Sequence, residues 1–128
     1  MTTHTYTAAD FQNLDPDALN VLGVKRLTPK ITTYRTDKRG SVKQSEVLID
    51  FGAYSIALVP DTAAALLIGM VAGRCGYILV TVATVGGFNA ACGNDGAYWT
   101  ALRKPSPPAA ALAAYGELVR SERKEAQG

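Results

Sequence analysis

The chain has 128 residues, of which 48% are hydrophobic and 19% charged, and its formal net charge is +2. That length suits one domain with a core of its own, and that composition excludes intrinsic disorder. So small a net charge excludes an acidic mimic of nucleic acid and confines any long-range attraction to a local patch.

The N-terminal residues Met1-Thr-Thr-His-Thr-Tyr6 carry neither a basic nor an apolar run, so no signal peptide is expected there. Thr7 with Asp10 three residues on resembles a capping box with Asp in place of Glu. Asp15-Pro16-Asp17 is a stronger helix start: Asp15 as N-cap, Pro16 in the first position, Asp17 in the first turn. Leu19 and Leu22 share a face of that helix and Gly23 ends it. Residues 1–24 therefore read as an acidic helical segment.

Residues 25–51 read as a basic hairpin. Seven of the 13 Lys and Arg fall in residues 25–43, against one acid, Asp37. Ile31 to Tyr34 are strand formers, and Asp37-Lys38-Arg39-Gly40 reads as a type I turn with glycine at the left-handed position. On the return strand Val47, Ile49 and Phe51 alternate with Glu46 and Asp50. Leu48 breaks the alternation, which points to cover on both sides near that end.

Residues 52–104 read as an apolar core. Residues 47–102 carry only Asp50, Asp61, Arg74 and Asp95 as charges. Tyr54 to Val59 read as a third strand stopped by Pro60. Asp61 is expected to cap a helix over 62–72, apolar all round and therefore buried between layers or subunits, with Gly73 as its stop. The uncharged, β-rich run 77–85 reads as a central strand. Gly86-Gly87 opens a stretch expected to be irregular through Gly96, and residues 97–102 stay open between strand and helix. Residues 75–94 are free of charge over a membrane-span length, but their glycines and asparagines and the absence of flanking anchors speak against a span, so no membrane association is expected.

Residues 105–128 read as the C-terminal helix, with Ser106 as N-cap, Pro107 in the first position, and Leu112, Tyr115, Leu118 and Val119 as its apolar stripe. The expected fold class is α+β: a single small domain with an antiparallel sheet, a basic β-hairpin, one buried apolar helix and a C-terminal amphipathic helix.

The basic hairpin is the first candidate site, with Lys25, Arg26, Lys30, Tyr34, Arg35, Lys38, Arg39 and Lys43 as candidate nucleic-acid contacts. A two-stranded ribbon can enter a major groove or follow a phosphate backbone, arginine supplies a planar fork, and Tyr34 offers a stacking face. The ordinary role of such charges is to keep an exposed edge soluble. The second candidate is a ligand loop of Phe88, Asn89, Asn94, Asp95 and Trp99. Its glycines could present N–H groups to an anion, but the spacing of known phosphate loops is missing. Cys92 as a nucleophile would need the only imidazole, His4. Cys75 and Cys92 fit no metal spacing. No catalytic residue, metal or cofactor is expected.

Three functions compete. The first is a non-enzymatic, self-associating protein, phage- or mobile-element-like, that contacts nucleic acid through the hairpin, in the cytoplasm or within a virion. The second is a small interaction protein that blocks or scaffolds a partner protein. The third is a small-ligand-binding protein or enzyme using residues 86–96.

Overall fold

The computed structural model describes residues 6–36, 38, 40–83, 85–94 and 97–127, without the side chains of Thr32, Tyr34, Arg35, Thr36, Val42, Asn94 and Gln127. Local signals set the first elements. The Thr7 N–H donates to Asp10 Oδ2 at 3.0 Å and closes a single 3-10 turn, Ala8–Phe11. Asp15 Oδ1 accepts from the N–H groups of Asp17 at 3.0 Å and Ala18 at 3.1 Å, capping α1, Pro16–Val21.

β1, Arg26–Thr36, and β2, Gly40–Asp50, form a hairpin, and β3, Ser55–Leu58, adds antiparallel to the root of β2. Two bonds close that root: the Lys25 N–H donates to the Asp50 carbonyl at 2.7 Å, and the Gly52 N–H donates to Asp50 Oδ1 at 2.8 Å. Val47 and Ile49 are fully buried, as their alternation requires. Glu46, on the opposite face, is only 6% exposed and Leu48 is half-buried, so this strand is covered on both sides near its end.

α2, Pro60–Arg74, starts earlier than the sequence implies. Val59 is the N-cap and Pro60 takes the first position, where its fixed φ suits a helix; Asp61 does not cap but lies in the first turn beside the positive helix end. Gly73 does not stop it, because the Cys75 N–H still bonds the Val71 carbonyl at 3.0 Å. α2 buries Pro60, Ala63, Ala64, Leu67 and Val71, while Ala65, Gly69 and Ala72 reach solvent.

Where one sheet was expected there are two, each three-stranded and antiparallel. The second consists of β4, Tyr77–Val82, β5, Phe88–Asn94, and β6, Ala97–Lys104, in the order β4-β5-β6. β4 is therefore an edge strand and not a central one. The glycine-rich stretch expected to be irregular supplies β5, while Asp95 and Gly96 lie outside the described residues. Gly93 has a packing reason: a Cβ there would run into the Ala97 carbonyl of the neighbouring strand.

α3, Pro107–Gln127, is the most enclosed helix. Ala109, Ala110, Ala111, Leu112, Ala114, Tyr115, Leu118 and Val119 are all buried, which extends well beyond the expected stripe. Alanines on the remaining faces let β5 and β6 approach on one side and α1 and α2 on others. Ser106, fully buried, accepts from the Ala109 N–H at 3.2 Å and donates to the Asp10 carbonyl at 2.7 Å. It caps α3 and ties the N-terminal turn to it.

An ion cluster joins α1 to the outer part of α3. Arg120 reaches Asp15 Oδ2 at 3.1 Å, Asp17 Oδ2 at 2.9 Å and Glu117 Oε1 at 3.0 Å, and Arg123 reaches Asp17 Oδ1 at 3.1 Å. Gly116 makes room for it, since a Cβ there would occupy the place of the Asp15 carboxylate. Hydrogen bonds from Arg120 and Arg123 hold the Asp17 carboxyl below its usual range.

Ser106→Ala removes a buried cap and leaves the Asp10 carbonyl without its donor, so chemical denaturation should show a loss of about 1–2 kcal/mol. Because the folded-state value of Asp17 is depressed, its contribution is complete above the ordinary carboxylate range, about pH 4, and disappears as pH falls through the lowered value. Arg120→Met should accordingly lower Tm at pH 7, and the gap to the parent chain should narrow in acid; a constant gap across pH would deny this coupling.

Candidate nucleic-acid interface

The hairpin is long for its support. Eleven residues per strand reach about 35 Å at the usual strand rise. Its root lies against the core through Val47, Ile49 and the partly buried Leu27. Farther out the burial ends: Ile31 is 68% exposed, and Thr33, Ser41, Lys43 and Gln44 are exposed as well. Ile31 pairs with Ser45 and Gln44 with Thr32, so residues of both faces meet solvent. The outer half is a two-stranded arm.

The register sorts the cations that the sequence presents as one group. Arg26 stands opposite Asp50 and Lys30 opposite Glu46, so the root cations face acids across the ladder. Lys43 stands opposite Thr33 and Arg35 opposite Ser41. Alternation also puts Arg26 and Lys30 on one face of the ribbon and Lys43 on the other. The outer portion, residues 31–45, holds Arg35, Lys38, Arg39 and Lys43 with Asp37 as its one acid, so the excess positive charge sits toward the tip. Lys25, Arg26, Lys30, Lys38 and Lys43 are all exposed. The backbone of Tyr34 pairs with Val42; the side chains of Tyr34 and Arg35, and the whole of Arg39, lie outside the described residues.

The second candidate set is not brought together. Phe88 and Trp99 are on β5 and β6 with partly buried rings packed on the core. Phe88 borders a cleft of about 340 Å³ with Tyr6, Ile68, Val80 and Pro107. Trp99 borders a different depression, with Glu117, Arg120 and Lys124. Asn89 has a structural task, its Oδ1 accepting the Arg103 N–H at 3.0 Å beside the irregular pairing of β5 with β6. The Asn94 side chain and Asp95 lie outside the described residues, as does His4.

Cys92 is fully buried, and burial beside Cys75 pushes its thiol up to about 12. Burial likewise raises the Cys75 thiol. Both keep their protons at neutral pH, the opposite of what a thiolate nucleophile requires. In the ion cluster, Asp15, Asp17 and Glu117 are all engaged by Arg120.

Sequence reasoning missed the solvent-facing side of the second sheet. Tyr77, Leu79, Tyr98 and Leu102 are 43%, 59%, 67% and 64% exposed there. A signal existed in the period-2 pattern of residues 77–81, in which Tyr77, Leu79 and Thr81 fall on one side and Ile78 and Val80 on the other.

Comparison with protein-family models, with curated proteins and with solved structures gave no match. Among the described residues no helix is long and apolar enough to cross a membrane.

An arm whose described side chains are exposed should open more readily than its root. Amide exchange on the free protein should leave residues 47–50 protected at least about a hundredfold longer than residues 41–44; equal protection would mean that the arm is supported along its whole length.

Proposed function

We propose that the chain is a non-enzymatic, self-associating protein that contacts nucleic acid through its hairpin arm, in the manner of a coat or architectural protein of a virus or mobile element. The observation that carries this reading is the arm itself: a ribbon whose described side chains from Ile31 outward to Gln44 are exposed, with four cations and one acid in residues 31–45. A two-stranded ribbon without a core on either face is marginal in water, and a polyanion would supply both contact and neutralisation. Exposed lysines on both faces suit a groove or a channel between phosphates better than one flat surface. Paired copies would present two arms, and avidity would raise a weak single contact. Localisation in the cytoplasm or within a virion belongs to the same proposal.

One observation favours the second reading. Ile31 gives the arm an exposed apolar side chain at mid-length, which suits a pocket on a partner protein more than a phosphate backbone.

Salt and charge separate the two. If Arg35, Lys38, Arg39 and Lys43 each neutralise a phosphate, affinity for a mixed-sequence duplex should fall roughly a hundredfold between 50 and 200 mM salt. Lys38→Glu with Arg39→Glu and Lys43→Glu should abolish retention of nucleic acid while the fold persists. Retention unchanged by these reversals ends the nucleic-acid reading. Loss of binding by Ile31→Asp with a flat salt response would favour the protein partner.

A further inference from the structure

We infer that Cys75 and Cys92 are a redox-responsive pair, which a small-molecule disulfide of the glutathione class converts into one internal disulfide that staples the C-terminal end of α2 to β5. The staple goes beyond the reading of the arm and holds whatever the arm binds.

Topology brings the two sulfurs together. Cys75 is the C-cap residue of α2, and its N–H bonds the Val71 carbonyl at 3.0 Å. The chain then passes through Gly76 into β4, where Ile78 stands opposite Cys92 of β5. Tyr77 and Leu79 alternate toward solvent, whereas Cys92 is fully buried in the core with Ile78 packed against it. Cys75 packs against that same core, and the two thiols lie within hydrogen-bonding reach of each other. Both are free thiols.

A sulfur–sulfur bond of about 2 Å requires the two atoms to move closer than a thiol contact. The helix end can supply that movement and the buried strand cannot. Ala72, Gly73 and Arg74 are exposed, Gly73 and Gly76 bracket Cys75, and nothing lies within 4 Å of the place of a Gly73 Cβ. The chain holds two cysteines, so no third thiol competes for either. Among the described residues no group of three or more His, Cys, Asp or Glu gathers, and two thiols alone do not close a zinc site.

Exposure sets the order of the chemistry. Cys75 is half-buried and Cys92 is not exposed at all, so exchange starts at Cys75. Its thiolate attacks one sulfur of the small disulfide; that S–S bond breaks, a mixed disulfide forms on Cys75, and one small thiol leaves with the Cys75 proton. The Cys92 thiolate then attacks Cys75 Sγ; the mixed bond breaks, and the second small thiol leaves with the Cys92 proton. Two protein thiols are oxidised by two electrons and one small disulfide is reduced to two thiols. Burial disfavours both thiolates, so closure takes minutes to hours. The pair therefore follows the standing redox state of its surroundings: thiols in a reducing compartment, a disulfide in an oxidising one. The closed loop, residues 75–92, carries all of β4, an edge strand whose ladder partner is β5 alone. The staple restricts the unfolded chain and keeps α2 and the second sheet together.

The test incubates the native full chain with an excess of oxidised glutathione, followed by intact mass, peptide mapping and thermal melting. The parent should become two hydrogens lighter, give a Cys75–Cys92 linked peptide and melt about 5–10 °C higher. Excess dithiothreitol should reverse all three changes. Cys92→Ala should stop at the mixed disulfide, with one glutathione on Cys75. Cys75→Ser should leave Cys92 unmodified over the same hours, and its melting should not respond to glutathione. Should Cys92→Ala fail to fold, Cys75→Ser, at a half-buried helix end, still decides the matter. A parent that keeps both thiols free, that stops at a glutathione adduct, that links only between chains, or that closes without melting higher would overturn the inference.

Discussion

The first half of α3 is the strut on which the rest hangs. A helix buried nearly all round must be narrow, and its four buried alanines, at 109, 110, 111 and 114, make it so. Packing against β5, β6, α1 and α2 follows from that narrow girth, because each neighbour can come close only where no long side chain intervenes. Its start is fastened by Ser106, whose hydroxyl serves the helix and the N-terminal turn together. Its outer half is steadied where Gly116 admits Asp15 and Arg120 gathers the acids of α1.

Features that depend on neighbours in sequence were legible. Asp15, Pro16 and Ser106 act as helix starts because capping is a matter of a few adjacent atoms. The hairpin was legible because alternation at Val47 and Ile49 and the turn residues agree with each other. The α+β class followed from these elements. Features that depend on what lies across space were not. Lack of charge in 77–82 marks a strand that avoids water, but it does not say whether the cover comes from its own chain; here β4 stands at an edge. For α2 and α3 the apolar count ranked the wrong helix as more enclosed, since alanine scores modestly while permitting the closest approach. Aspartate favours a capping place, which points to Asp61, yet Pro60 already takes the first position of the helix.

The candidate site shows the same division. Composition concentrated the cations in one segment, and the segment is a ribbon. Pairing then divided them, with Arg26 and Lys30 set across from acids and the excess left near the tip. No reading of spacing could have made that division, because it depends on which residue of β2 faces which residue of β1. For the glycine-rich stretch, composition implied pliability, whereas Gly93 is there because the Ala97 carbonyl fills the place of a side chain.

Cys92 has a practical consequence. Its sulfur lies on the strand that α3 covers and stays protonated, so an alkylating reagent can reach it only in molecules whose helix has lifted away. The labelling rate at that sulfur, resolved from the less buried Cys75 by peptide mapping, is thus a built-in clock for breathing of the second sheet.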